Sequence, residues 1–105
     1  MIITLKKLLP IISLVGCVFC QINWETAVYA NDDWSYLIPL SEPPIEWKNL
    51  NFDDSNWSIG AGGFGYGDGD DGTEIIPTIS VYLRKKFIVD NVHNLKNAIL
   101  HADYD

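Results

Sequence analysis

Seven of the eight glycines fall between Phe52 and Thr73, in the run F-D-D-S-N-W-S-I-G-A-G-G-F-G-Y-G-D-G-D-D-G-T. Glycine at this density marks backbone held in left-handed or crowded conformations, or close approach of another segment. The same run holds five of the fourteen acidic residues. Phe64 and Tyr66, interleaved with the glycines, supply rings that fold such a loop back on a core. The expectation is an ordered loop between strands, not a free linker.

The N-terminus carries Lys6 and Lys7 ahead of an apolar run from Leu8 to Phe19. A basic start followed by about a dozen apolar residues describes a secretory signal peptide, too short to cross a bilayer of about 30 Å as a helix. Cleavage after Cys20 leaves Gln21 first, so residues 1–20 read as signal peptide and 21–105 as the mature part. A rival pattern, Leu14-Val15-Gly16-Cys17, has the form of a lipobox, in which a lipid on Cys17 tethers the protein to a membrane. Either way the chain is expected to be secreted, extracellular or on the cell surface.

Removing residues 1–20 takes away both cysteines and leaves five basic against fourteen acidic residues, a formal charge of −9. No disulfide framework is then available. An acidic domain disfavours nucleic acid and anionic membranes as partners. It suits a cation or a neutral polymer such as a glycan. About 85 residues without disulfides make a marginal domain. The run Asn97 to Tyr104 alternates as a strand and stops at Asp105 without a turn, so the chain is expected to be the front of a longer polypeptide.

Residues 21–30 alternate weakly and suit a first strand; Asn31-Asp32-Asp33 signals a turn. Trp34 to Pro39 is a β-favouring run closed by proline, as on an edge strand. Ser41-Glu42-Pro43-Pro44 is a rigid connector. Asp53, Asp54, Ser55 and Asn56 favour side-chain-to-backbone turns, with Phe52 and Trp57 as anchors into one core. Ile79 to Val89 is the strongest strand pattern, half-exposed, with Val81, Leu83 and Phe87 on one face. Asp90-Asn91 turns the chain, and 92–97 reads as a loop or a single helical turn. Short strands between Gly, Pro and Asp turns predict an all-β sandwich or jelly roll.

For chemistry, Gly67 to Thr73 is the metal candidate. Calcium takes six to eight oxygens on a tightly turning backbone, which Asp68, Asp70 and Asp71 begin to supply. Specific spacings fail: an EF-hand loop opening at Asp68 meets Gly72 and Ile79 where oxygen ligands belong, and the nonapeptide calcium repeat wants Asp at Gly67. A solvated turn whose carboxylates bind backbone amides is the bland reading. His93 and His101 lack partners at metal spacing and read as surface histidines. The Gly62–Gly67 run lacks the Lys-Ser/Thr and helix of a phosphate cradle. Adjacent Asp53 and Asp54 do not face each other as glycosidase carboxylates do. Asn56-Trp57-Ser58 is formally a glycosylation sequon. Trp34, Trp47 and Tyr66 are the ligand-binding candidates, as rings that stack on sugars; the competing use of such rings is core, each burying about 150–250 Å².

Trp34-x-Tyr36, Trp47, Phe52-Asp53-Asp54-Ser55-x-Trp57, Gly65 to Asp70, Ser80-Val81-Tyr82-Leu83-Arg84-Lys85-x-Phe87 and Ala102 to Asp105, in that order, resemble a galactose-binding-domain-like β-sandwich. Such modules occur in large secreted bacterial proteins beside spore-coat-H-type kinase, lamin-tail and metallophosphoesterase domains. The order also resembles the sugar-binding jelly roll at the front of family 2 glycoside hydrolases. The resemblance covers roughly Trp34 to Asp105 and implies an incomplete jelly roll with a non-catalytic accessory or adhesion role, a glycan as ligand and downstream domains of the same polypeptide as partners. No catalytic residue carries over. The alternative it implies is the non-catalytic front of a secreted hydrolase.

Overall fold

The computed structural model describes residues 1–12 and 18–103, those at 8–12 and 18–22 through their backbone alone. In chain order the strands are β1 (Ile2–Ile12), β2 (Val18–Val28), β3 (Asp33–Leu37), β4 (Ser58–Ala61), β5 (Phe64–Gly65), β6 (Thr73–Glu74), β7 (Tyr82–Arg84) and β8 (Leu95–His101). Two 3₁₀ turns, Ile45–Lys48 and Val92–Asn94, are the helical pieces among the described residues. The protein is all-β, as its turn chemistry predicts. It divides into two compact units, Met1–Tyr29 with Phe87–Asp105, and Ala30–Lys86.

The first unit is a three-stranded antiparallel sheet in the order β2-β1-β8. Among its described residues the buried apolar ones are Leu5 and Val28. Leu5 stands opposite Glu25 on one side and Ala98 on the other, so β1 is paired along both edges. Lys6 faces Trp24 across the β1–β2 ladder, its ammonium 5.5 Å from the ring centroid. Lys7 reaches the carboxylate of Glu25 at 2.6 Å, a diagonal cross-strand pair. That hydrogen bond raises the Lys7 pKa. The helical turn expected within 92–97 is the 3₁₀ turn, where Asn91 Oδ1 accepts from the His93 amide at 3.1 Å. Both histidines are exposed.

The segment read as a signal peptide forms β1 and the start of β2 here. The lipobox cysteine, Cys17, and the end of the expected last strand, Tyr104, lie outside the described residues. Cleavage after Cys20 would remove β1 and leave β8 and residues 21–28 without their shared partner. Hydrogen exchange checks this dependence. In a chain of residues 21–105 the β8 amides are expected to exchange at nearly unfolded rates, while β3 and β4 stay protected. Undiminished protection of β8 would show that β1 is dispensable.

The second unit has the antiparallel order β4-β3-β7, plus a parallel pair of two-residue strands, β5 and β6. Its buried apolar residues are Trp34 and Ile75. The eleven-residue strand expected at Ile79–Val89 is a three-residue one, and it begins at Tyr82 because its neighbour β3 ends at Leu37. Its neighbour β3 matches Ser35, Tyr36 and Leu37 to Arg84, Leu83 and Tyr82, and Pro39 lies just beyond. Proline has no amide to extend the ladder. At the same end, on the β7 side, Thr78 Oγ1 donates to the Ser80 carbonyl at 3.0 Å, holding that approach in a local turn.

The glycine-rich run is ordered as expected, folded back by Phe64 but not by Tyr66, which is exposed. Thr73 donates its amide to Gly63 O and Ile75 to Gly65 O, both at 2.8 Å, so the loop closes on its own base. The Thr73 hydroxyl caps Ala61 O at 2.7 Å. Phe64 packs against Tyr36 of β3 with ring centroids 5.2 Å apart.

Candidate functional site

In the second unit, Pro44 leads the chain into the 3₁₀ turn that carries Trp47, and the Trp47 amide donates to the Pro44 carbonyl at 2.9 Å. Next, Asp53 Oδ1 accepts from the Ser55 amide at 3.0 Å and Trp57 donates to Asp54 O at 2.9 Å. This is the Asx turn that the sequence predicts. It brings Phe52 and Trp57 into edge contact, ring centroids 5.9 Å apart, as the two anchors expected. Hydrogen bonds from Ser55 hold the Asp53 carboxyl below its ordinary range.

Trp47 then stacks on Trp57 at 6.2 Å with an interplanar angle of 28°, and meets the edge of Tyr82 at 5.1 Å. Trp47, Trp57, Phe52 and Tyr82 are all half-buried. They pack together while keeping part of their surface in water.

Arg84 underpins this group. Its Nε pairs with Asp54 Oδ2 at 2.8 Å, Nη1 donates to the carbonyls of Trp47 and Asn49, and its guanidinium lies 5.2 Å from the Phe52 ring centroid. The arginine side chain is only 8% exposed. Its hydrogen bond to Asp54 depresses that carboxyl's pKa. A planar fork of donors suits a carboxylate and two carbonyls at once, which an ammonium cannot match.

The sequence candidates do not form one site. Trp34 is 6% exposed on β3, so its rings belong to the core and not to a stacking face, a correction to its assignment as a ligand contact. β3 is the central strand of its sheet and not the edge strand that its closing proline suggests, so Trp34 is covered by strands on both sides. Trp47 keeps an accessible surface, and Tyr66 is 54% exposed on the glycine loop. Tyr82 and Arg84, which organise the ring group, escaped sequence reasoning. Both sit on the strand pattern predicted at 79–89, but alternation alone does not show which rings on other segments they meet.

Asp68, Asp70 and Asp71 converge, one carboxylate oxygen of each lying within 4.8 Å of the others. Bonds of about 2.4 Å let oxygens up to about 4.8 Å apart share one calcium ion, and the three carboxylates would supply part of the six to eight oxygens it takes. Gly67 and Gly69, at φ of 98° and 80°, give the loop its curvature. The carboxylate of Asp71 rests against Gly65, where a Cβ would stand 2.6 Å from its Cγ.

No protein-family model matches the chain, and no curated protein or solved structure matches it either.

Proposed function

We propose that the chain is a non-catalytic accessory or adhesion-type β-sandwich module of a secreted or cell-surface protein, of the galactose-binding-like, jelly-roll kind, and that it binds carbohydrate. The observation that supports this reading most is the half-exposed Trp47, held by Trp57 and Tyr82 on an all-β unit. A fixed indole with an open surface is what the C–H face of a sugar packs against, and its ordering is already done before ligand arrives. Tyr66 is a second exposed ring in this reading; Trp34 is not part of it. Titrating neutral oligosaccharides while following tryptophan fluorescence tests the assignment. Trp47→Ala is expected to weaken binding at least tenfold and Trp34→Phe to leave it unchanged; the reverse pattern would refute it.

The second reading makes the module the front of a larger secreted hydrolase, a glycoside hydrolase or metallophosphoesterase. It draws support from exposed apolar side chains on the second unit, Ile59 and Ile76 among them, which suit packing against further protein. Neither reading requires a cofactor. Calcium enters both only at Asp68, Asp70 and Asp71. Bound there, millimolar calcium is expected to raise the melting temperature and Asp71→Asn to abolish the rise. An unchanged melting temperature in the wild-type chain would remove calcium from the account.

A further inference from the structure

Strands β3 and β7 pair as far as Leu37 and Tyr82 and then separate. The segments that continue from them, around Ser41 and Thr78, form the two walls of an open groove of about 430 Å³ within the second unit. This lies in the size range of small-ligand sites, about 300–1,000 Å³. We infer that this groove is a binding subsite for an uncharged oligosaccharide, an assignment that rests on the carbohydrate reading above and gives it a place.

Ser41, Thr78 and Ser80 bring hydroxyl groups from both walls, and Tyr82 brings a phenol on a ring already in edge contact with Trp47. Hydroxyls both donate and accept, which suits a ligand whose surface is itself hydroxyl. Thr78 spends its proton on the Ser80 carbonyl, so its oxygen faces a ligand as an acceptor. Glu42 is the one charged residue of the lining. A carboxylate takes hydrogen bonds from sugar O–H groups and strengthens them by its charge.

With no basic side chain in the lining, a sulfate, phosphate or uronate would meet Glu42 unpaid by any countercharge. An uncharged ligand avoids that cost. Leu40, fully exposed at the rim, offers an aliphatic surface for the C–H face of a sugar ring. Hydroxyls set among the apolar Pro39, Leu40 and Ile79, with an aromatic contact and a single acceptor charge, suit a neutral saccharide better than an anionic one.

The test applies the full chain to an array of neutral, sialylated and sulfated oligosaccharides, with cellotetraose and lactose also titrated by calorimetry. Binding is expected among the neutral glycans, at least tenfold weaker in Glu42→Gln and lost in Ser80→Phe, which fills the groove. Glu42 and Ser80 are exposed, so both variants are expected to keep the wild-type melting temperature. Neutral-glycan binding that survives both variants but falls in Trp47→Ala would overturn the groove and leave the carbohydrate reading standing. Absence of binding to any glycan would overturn both. Preference for sulfated or sialylated glycans would overturn the groove's chemistry.

Discussion

Arg84→Met is expected to lower the stability of the 30–86 unit by about 2–3 kcal/mol, seen as a lower urea midpoint with an unchanged slope. The loss combines one charge pair, two carbonyl contacts and the guanidinium on Phe52, all made by a single buried side chain. Breaking a fully buried pair costs about 3–5 kcal/mol, and the loss here is smaller because Asp54 remains 22% exposed. Arg84→Lys is expected to recover only part of the loss, since an ammonium reaches Asp54 without the fork to Trp47 and Asn49. Acid titration adds a second signature. The Asp54 pKa is lowered from 3.8 in the folded chain, chiefly by its hydrogen bond from Arg84. Its contribution is therefore full above the ordinary carboxyl pKa and disappears as pH falls through the lower folded value. Arg84→Met is expected to flatten that acid limb. A variant as stable as wild type, with the same acid limb, would show that the ring group holds itself together.

The second large effect is expected at Gly72. A Cβ there would run into the backbone carbonyl of Gly62, and Gly62 in turn faces the carbonyl of Ala30. A backbone oxygen has no rotamer by which to move aside, so Gly72→Ala is expected to cost about 1–3 kcal/mol, near the upper end. Gly67→Ala is the informative contrast. Gly67 has φ of 98° with open space around it, so alanine meets only the left-handed backbone penalty, about 1–2 kcal/mol. Thermal melts of the two variants separate close approach from conformational strain. Equal melting temperatures would mean that the base of the glycine loop opens readily.

What the sequence made legible was local. The Asx turn at Asp53, the helical turn after Asn91 and the folded-back glycine loop follow from side chains that bond to their own neighbours. The start of β7 was not legible, because Ile79–Val89 has strand chemistry throughout and its pairing begins only where β3 ends, at Leu37. Trp34 and Trp47 look alike as surface candidates in sequence. Their fates differ because one lies on a central strand and the other on a 3₁₀ turn. The three aspartates stand together in sequence on the Gly67–Thr73 run, and the curvature of the glycine backbone brings their oxygens within reach of one another.

The sheet β2-β1-β8 draws its strands from opposite ends of the chain, with Ala30–Lys86 contiguous between them. That arrangement imposes an order of assembly during synthesis. The β1–β2 hairpin and the intervening unit consist of segments near in sequence and can form as they emerge. β8 comes last and must find β1 across the whole insertion. An insertion that has already folded shortens the effective span to be closed, which lowers the entropy lost in that final pairing. Until β8 arrives, the far edge of β1 is a row of unpaired amides and carbonyls exposed to other nascent chains.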